Sequence, residues 1–286
     1  VNGVEIAAPL SLIIAQAAEH DALLVEAHPD DATFDLTITL VDGRRIERRI
    51  LVIAFGDELS VSEPVPDHLP THCPGRHINS DASFCLGWSG HEEKAVIDSD
   101  SARLWWARML QFWRLQERAA RRRQWPDRRQ WAHGGAAKHQ QAAEVAAAKL
   151  GKSYVTALEW RRLSVSSAVE RGSANGPAYN LMLADQPILR VWRDHPRLVN
   201  MRQPCICDGS AKHRAVAMRG CGDHAQAGID LVRSLLRWRE EEQAFWAELK
   251  GATCCGTLDN CPIRHMRGRT SDGGEVGPDI IERKVA

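Results

Sequence analysis

The sequence predicts an α+β chain built as two units, and three observations carry that prediction. Apolar and polar residues alternate in "TFDLTITLV", which implies a sheet with one covered face. A Trp-rich amphipathic stretch over residues 100–123 implies a long helix packed on a core. Of the eight cysteines, those from Cys205 to Cys261 crowd the last third of the chain, around a second long helical pattern.

The opening helix is predicted by "IAAPLSLIIAQAAE", residues 6–19, whose apolar positions recur at helical spacing. Three strand patterns follow, "ALLVEAH", "ATFDLTITLV" and "RRIERRILVIAF", with Asp42-Gly43 marking a hairpin between the last two. From Asp57 to Gly90 the chain is rich in Pro, Gly, Ser and Asp, so an irregular crossing is expected there. Long ordered loops of this kind carry function more often than the elements they join. The helix over Asp100–Arg123 is expected to bury Leu104, Trp105, Trp106, Met109, Leu110, Phe112 and Trp113. "QWPDRRQWAHGG" breaks it, and Ala136–Leu150 forms an Ala-rich helix stopped by Gly151. These elements make a first unit over 1–150. A second unit over 151–267 reads as helical pieces separated by "GSANGP" and "ADQP", closing on "GIDLVRSLLRWREEEQAFWAELKG" with its stripe of Val232, Leu235, Leu236, Phe245, Trp246 and Leu249. Residues 268–286 lack aromatics and are expected to be disordered.

Charge excludes some partners. Thirty-seven basic and 37 acidic residues cancel, so no global field directs the chain to nucleic acid or a membrane surface. The run Arg118, Arg121, Arg122, Arg123, Arg128 and Arg129 reads first as a solvated helix end, because cations favour a helix C-terminus. The first residues, "VNGVEIAAPLSLIIAQAAEHD", hold no basic leader and no apolar run long enough for a bilayer, so a soluble, cytoplasmic protein is expected. Cysteines in such a setting are reduced thiols or metal ligands rather than a disulfide framework.

The most informative stretch is "CPGRHINSDASFCLGW", residues 73–88. Taken alone, Cys85 is open to three readings: a small packing residue, a metal ligand or a nucleophile. Its surroundings narrow them. A helix, a strand meander, a Pro-rich crossing ending in "HINSDASFCLG" and a long amphipathic helix is an order that resembles the ubiquitin-conjugating enzymes, in which an "HPN" tripeptide places an Asn eight residues before the catalytic Cys. Here "SDASFCL" matches the segment around that Cys, but Gly75-Arg76-His77 stands where His-Pro-Asn would be, so His77 takes the place of the Asn. His at that position, together with Trp125-Pro126 and His133-Gly134 further on, resembles the bacterial relatives of the family. The resemblance spans about residues 5–150.

The resemblance implies an acyltransferase. An adenylating activating enzyme would pass a ubiquitin-like modifier to Cys85 as a thioester, and a target amine would take it from there. A thiolate suits this task because it is both a strong nucleophile and a good leaving group. His77 would donate to the oxyanion or shape the loop, and His133 would orient or deprotonate the amine. Bacterial relatives also imply an antiphage defence setting. The rival reading is a non-catalytic adaptor that keeps the fold to bind a ubiquitin-like partner, with the Cys-rich region binding protein or nucleic acid. Asn79 and Asp81 read as turn formers, and Cys73 as structural.

The remaining cysteines fall in two groups. "CICDGSAKHRAVAMRGCGDH" holds Cys205, Cys207, Cys221 and His224, and "CCGTLDNCPIRH" holds Cys254, Cys255, Cys261 and His265. Short spacings beside Gly and polar residues suit tetrahedral zinc. The "CICDGSAKHR" half is similar to the SEC-C metal-binding motif, although Cys221 comes later than in that motif. Structural zinc is therefore expected, with no organic cofactor. Which four of these ligands share an ion, or whether one site spans both groups, stays open at this level.

Overall fold

Alternation fixes the inner face of the sheet. In the computed structural model, which describes residues 6–87, 95–127, 132–168, 177–209 and 216–266, Ala32, Phe34, Leu36 and Ile38 of β2 (Asp31–Thr39) are all buried and the residues between them are not. β1 (Ala22–Ala27), β2, β3 (Arg45–Phe55) and β4 (Glu58–Ser62) run as an antiparallel meander in the order β1-β2-β3-β4. Asp42-Gly43 closes the β2–β3 hairpin, with Gly43 at φ 81°. α1 (Ala8–Gln16) and α2 (Ser99–Arg122) complete this core. Asp98 caps α2 by accepting from the Ser101 N–H at 2.8 Å. The Trp106 indole donates to the Ile13 carbonyl at 3.0 Å and meets Phe34 edge-on at 5.3 Å, which joins both helices to the sheet.

Two expectations need correction in this half. Leu104 does not join the buried face of α2; it is 55% exposed, because Trp105, Met109, Phe112 and Trp113 already define the inner stripe. β4 follows the turn at Gly56-Asp57 as a fourth strand inside the stretch expected to be irregular. Its short Glu- and Ser-containing sequence hides it, since only Val61 among its five residues is fully buried.

A second core forms around α3 (Ala136–Leu150), α4 (Lys152–Glu159) and α5 (His224–Glu248). The expected first unit extends to 150, while α3 packs Ala143, Ala146, Ala147 and Leu150 into this second core, with Leu231 and Val232 of α5 in the same cluster. The extension is not helical throughout. β5 (Leu163–Ala168), β6 (Ala178–Leu183) and β7 (Gln186–Trp192) form a three-stranded antiparallel sheet where helical pieces were expected. Its β6–β7 turn is Ala184-Asp185, both at positive φ (46° and 69°), the backbone of a two-residue hairpin turn without the usual Asn-Gly signal. The chain then returns to the first core. Leu258, Cys261 and Ile263, the last on α6 (Pro262–Met266), are buried there, and Arg123 holds the returning segment through Asp259 at 2.8 Å and the Gly256 carbonyl at 2.8 Å. No helix among the described residues is long and apolar enough to cross a membrane. The expected disordered tail and Arg128-Arg129 lie outside the described residues.

Gly151 separates α3 from α4. Its φ of 132° with ψ 172° belongs to a region only glycine occupies, and a Cβ there would lie 2.3 Å from Asp208 Oδ2. Asp208 accepts from the Ser153 N–H (3.0 Å) and hydroxyl, which ties the Cys205–Asp208 turn to the start of α4. Gly151→Ala should therefore cost about 3 kcal/mol in urea unfolding, from strain and overlap together. Gly56→Ala, at positive φ with open space around it, should cost only about 1 kcal/mol. Equal effects at the two sites would remove the overlap argument.

Candidate active site and metal centre

The loop that carries Cys85 is pinned at both ends. Cys73 and Ile78 pair across a tight 3₁₀ turn at Pro74–Arg76, and Ile78 in turn pairs with Phe84. Phe84 donates its N–H to the Val61 carbonyl at 2.7 Å and buries its ring against Phe112 at 4.6 Å and Trp113 at 5.5 Å. Between them Asn79 and Asp81 act as the turn formers their chemistry suggests. Asp81 accepts from the Ser83 N–H and hydroxyl, which hold its carboxyl below the usual carboxylate range, and the Asn79 amide donates to the Ser83 hydroxyl. Chain alternation after the anchored Phe84 turns Cys85 outward. Its Sγ is half-buried, 3.5 Å from the Gly87 carbonyl, and its N–H donates to the His77 carbonyl at 2.8 Å.

His77 and His133 come together. His77 caps the 3₁₀ turn in the left-handed region, φ 56°, and is 7% exposed. Its ring lies between Trp125, 5.1 Å away, and His133, stacked at 5.4 Å. His133 stacks in turn on Phe245 and meets Trp246 edge-on, both at 4.8 Å. An aromatic column thus runs from the catalytic-looking loop to the last turns of α5. Beneath the loop the buried Arg76 donates to the Gln116 side chain at 2.8 Å, and Gln116 donates back to the Arg76 carbonyl at 2.7 Å.

Both nitrogens of His133 face oxygen acceptors: Nδ1 lies 2.6 Å from Glu242 Oε1, and Nε2 lies 3.0 Å from the Pro74 carbonyl. Both ring nitrogens are therefore engaged by oxygens of neighbouring elements. These contacts tie the His133 ring to the turn beside Cys85. Glu242 also accepts from the His133 N–H at 2.9 Å and the Trp246 indole at 2.9 Å. Burial disfavours its charge, but the His133 and Trp246 hydrogen bonds outweigh burial and hold its pKa below the usual Glu range.

A carboxyl with a lowered folded pKa contributes stability above its unfolded value of about 4.3 and loses it as the pH falls through the folded value. Glu242→Gln should cost about 2 kcal/mol near neutral pH, the scale of a hydrogen bond to a charged group. The gap from wild type should narrow as the pH drops below about 4. Thermal melts of both proteins across that range check it, and a gap independent of pH would show that Glu242 contributes only shape.

The first Cys group forms one compact cluster. Cys205, Cys207, Cys221 and His224 place their ligand atoms within 4.8 Å of one another. His224 Nδ1 lies 3.2 Å from Cys221 Sγ and 3.5 Å from Cys205 Sγ, and Cys207 and Cys221 are 3.9 Å apart. A tetrahedral ion with metal–sulfur bonds of about 2.3 Å needs ligand edges of about 3.6–3.8 Å, so the donor set fits a metal. Cys205 and Cys207 enter from a turn braced by the Tyr154 hydroxyl, which donates to the Ile206 carbonyl at 2.6 Å. Burial pushes the Cys205 thiol up to about 12 although the Cys207 N–H opposes it. Cys254, Cys255 and Cys261 do not join this cluster. They lie at the first core beside Cys73, with Cys255 Sγ 3.0 Å from Cys73 Sγ. The Cys73 hydrogen bond, against burial and with help from Thr257, brings the Cys255 thiol down to about 5. The His265 side chain lies outside the described residues.

Sequence reading missed Glu242 because it stands in "REEEQ", a charge run that looks like a solvated face. The available signal was its i, i+3, i+4 spacing with Phe245 and Trp246, which puts all three on one side of α5.

Comparison with known families gives two successive matches along the chain. Residues 21–127 match the family model described as a prokaryotic E2 domain. Residues 132–263 match that of a cysteine-rich domain, C-terminal to the E2 domain. No curated protein and no solved structure matches the chain.

Proposed function

We propose that this chain, which carries a prokaryotic E2 domain over residues 21–127 followed by the cysteine-rich domain over 132–263, conjugates a ubiquitin-like modifier through a thioester on Cys85. The observation that carries this reading is a half-buried thiol set directly after an anchored Phe84, with its amide held by the left-handed His77. In the first step the Cys85 thiolate attacks the carbonyl of the modifier's activated C-terminus. The new S–C bond replaces the bond to the activating enzyme's thiol, which leaves with the proton that Cys85 gave up. In the second step a target amine attacks the Cys85 thioester, an amide forms, and the thiolate departs and is reprotonated. Negative charge collects on the carbonyl oxygen during aminolysis, and the His77 side chain is the donor assigned to it. His133 and Glu242 hold the turn that carries His77.

The Cys205, Cys207, Cys221 and His224 cluster is assigned zinc, which would fasten the turn at 205–208 to the start of α5. Cys205→Ser should carry about one zinc fewer per chain by elemental analysis and melt earlier, while charging of Cys85 persists. Unchanged metal content would remove this assignment. An antiphage setting and a cytoplasmic location belong to the same reading by family resemblance. The direct test incubates the protein with a candidate activating enzyme, its modifier and ATP, then separates the products without reductant. A modifier-sized shift that vanishes with thiol reductant is expected, and its absence with cognate components would overturn the reading.

A further inference from the structure

Cys73 and Cys255 take no part in the thioester chemistry or the first cluster, yet the fold sets their sulfurs 3.0 Å apart although 182 residues separate them in sequence. Among the described residues, the donor atoms that gather in a group of three or more are those of Cys205, Cys207, Cys221 and His224. Cys73 and Cys255 meet as a pair. An S–S bond is about 2.05 Å long, so closing one here needs an approach of only about 1 Å.

The two sulfurs differ in setting. Cys73, 2% exposed, is locked into the catalytic turn, where its N–H donates to the Ile78 carbonyl and its carbonyl accepts from the Ile78 N–H, both at 3.1 Å. Cys255 is half-buried and lies in the irregular segment between α5 and α6, followed by Gly256 at φ 73° with open space around it. The approach can therefore come from the Cys255 side. Its sulfur also lies 3.0 Å from the Thr257 hydroxyl, and the buried Arg76 guanidinium acts on both cysteines. A donor and a cation beside a partly accessible sulfur favour the thiolate, the form that reacts with oxidants. The Cys255 thiol, lowered to about 5, and the raised Cys73 thiol, each shifted chiefly by the hydrogen bond between them, agree with that division. A packing role accounts for Cys73 and leaves the half-exposed, polar-flanked Cys255 unexplained.

We propose that Cys255 and Cys73 form a site of reversible oxidation by hydrogen peroxide, with Cys255 as the attacking sulfur and Cys73 as the resolving one. The Cys255 thiolate attacks one peroxide oxygen: an S–O bond forms, the O–O bond breaks, and the sulfur gives up two electrons. The attacked oxygen keeps its proton, so Cys255 becomes a sulfenic acid, and the other oxygen leaves as hydroxide. The Cys73 sulfur then attacks the Cys255 sulfur; an S–S bond forms, the S–O bond breaks, and water leaves with the Cys73 proton. A dithiol reductant restores both thiols by exchange. The disulfide joins the cysteine-rich domain to the turn whose Cys73–Ile78 and Ile78–Phe84 bridges lead to Cys85.

The test treats the full, reduced chain with hydrogen peroxide, blocks the remaining thiols by alkylation and maps the digest by mass without reductant. A linked Cys73–Cys255 peptide pair is expected. On a non-reducing gel the oxidised chain, closed into a loop across 182 residues, should run faster than the reduced chain until dithiothreitol restores it. Dimedone, which traps sulfenic acids, separates the two roles: Cys73→Ser should leave Cys255 trapped, and Cys255→Ser should leave Cys73 an unoxidised thiol. Should Cys73→Ser fail to fold, the wild-type map and Cys255→Ser still decide. No Cys73–Cys255 link after peroxide, a link that joins either sulfur to Cys254 or Cys261 instead, dimedone on Cys73 in Cys255→Ser, or a native Cys255 that alkylates only after a chelator strips a metal would each overturn the proposal. Every readout uses the chain alone, without activating enzyme or modifier, so they stand apart from the test of the conjugation reading.

Discussion

Cys85→Ala should form no thioester at all, and Cys85→Ser should form a modifier adduct that survives thiol reductant. The first result follows from removing the only atom that the proposed step makes into an acyl acceptor. The second follows from replacing a thioester, which exchanges readily with thiols, by an oxygen ester that does not. Both variants should fold, because Cys85 is half-buried and the loop is held by Phe84, the Cys73–Ile78 bridge and the Asn79–Ser83 turn rather than by the sulfur. Cys73→Ala is the informative control. Its thiol is buried and in contact with Cys255, so it is closed to a protein-sized acyl donor, and charging should persist when it is removed. Charging in Cys85→Ala that disappears in Cys73→Ala would assign the nucleophile to the wrong cysteine.

What could be read from sequence was whatever a single element decides. The alternation of β2 needs only a period of two, and Phe34, Leu36 and Ile38 are buried as that period requires. The Ala136–Leu150 helix begins and ends at the expected residues, because Gly151 cannot continue it. The loop residues before Cys85 were legible for the same reason: Asn79 and Asp81 bond within their own turn. Features that need two distant segments were not. Glu242 looks like one acid in a charged run until α5 is laid beside His133. Cys73 looks like a lone structural thiol until the chain returns with Cys255, 182 residues later. The β6–β7 hairpin was hidden by ordinary residues, Ala184 and Asp185, held in positive φ by the strands they join.

The second large effect belongs to His77, whose backbone and ring do different work and can be tested separately. The backbone sits at φ 56° and its carbonyl holds the Cys85 amide at 2.8 Å, while the ring is fixed between Trp125 and His133. His77→Gly keeps the left-handed conformation at no steric cost and deletes the ring. His77→Asn also tolerates that conformation and supplies an amide donor. All variants should charge at near-normal rates, since loading requires the Cys85 thiol and the activating enzyme. Discharge to amine should fall in His77→Gly by about a hundredfold or somewhat more, the rate equivalent of one oxyanion donor worth about 3 kcal/mol. His77→Asn should recover much of that loss. The comparison is made by single-turnover discharge of preloaded protein, which removes loading from the measurement. Equal rates for His77→Gly and His77→Asn, both slow, would mean that the stacked ring orders the loop and donates nothing. Rates equal to wild type in both would leave the ring with no part in transfer, and attention would then pass to His133, whose ring stacks on that of His77.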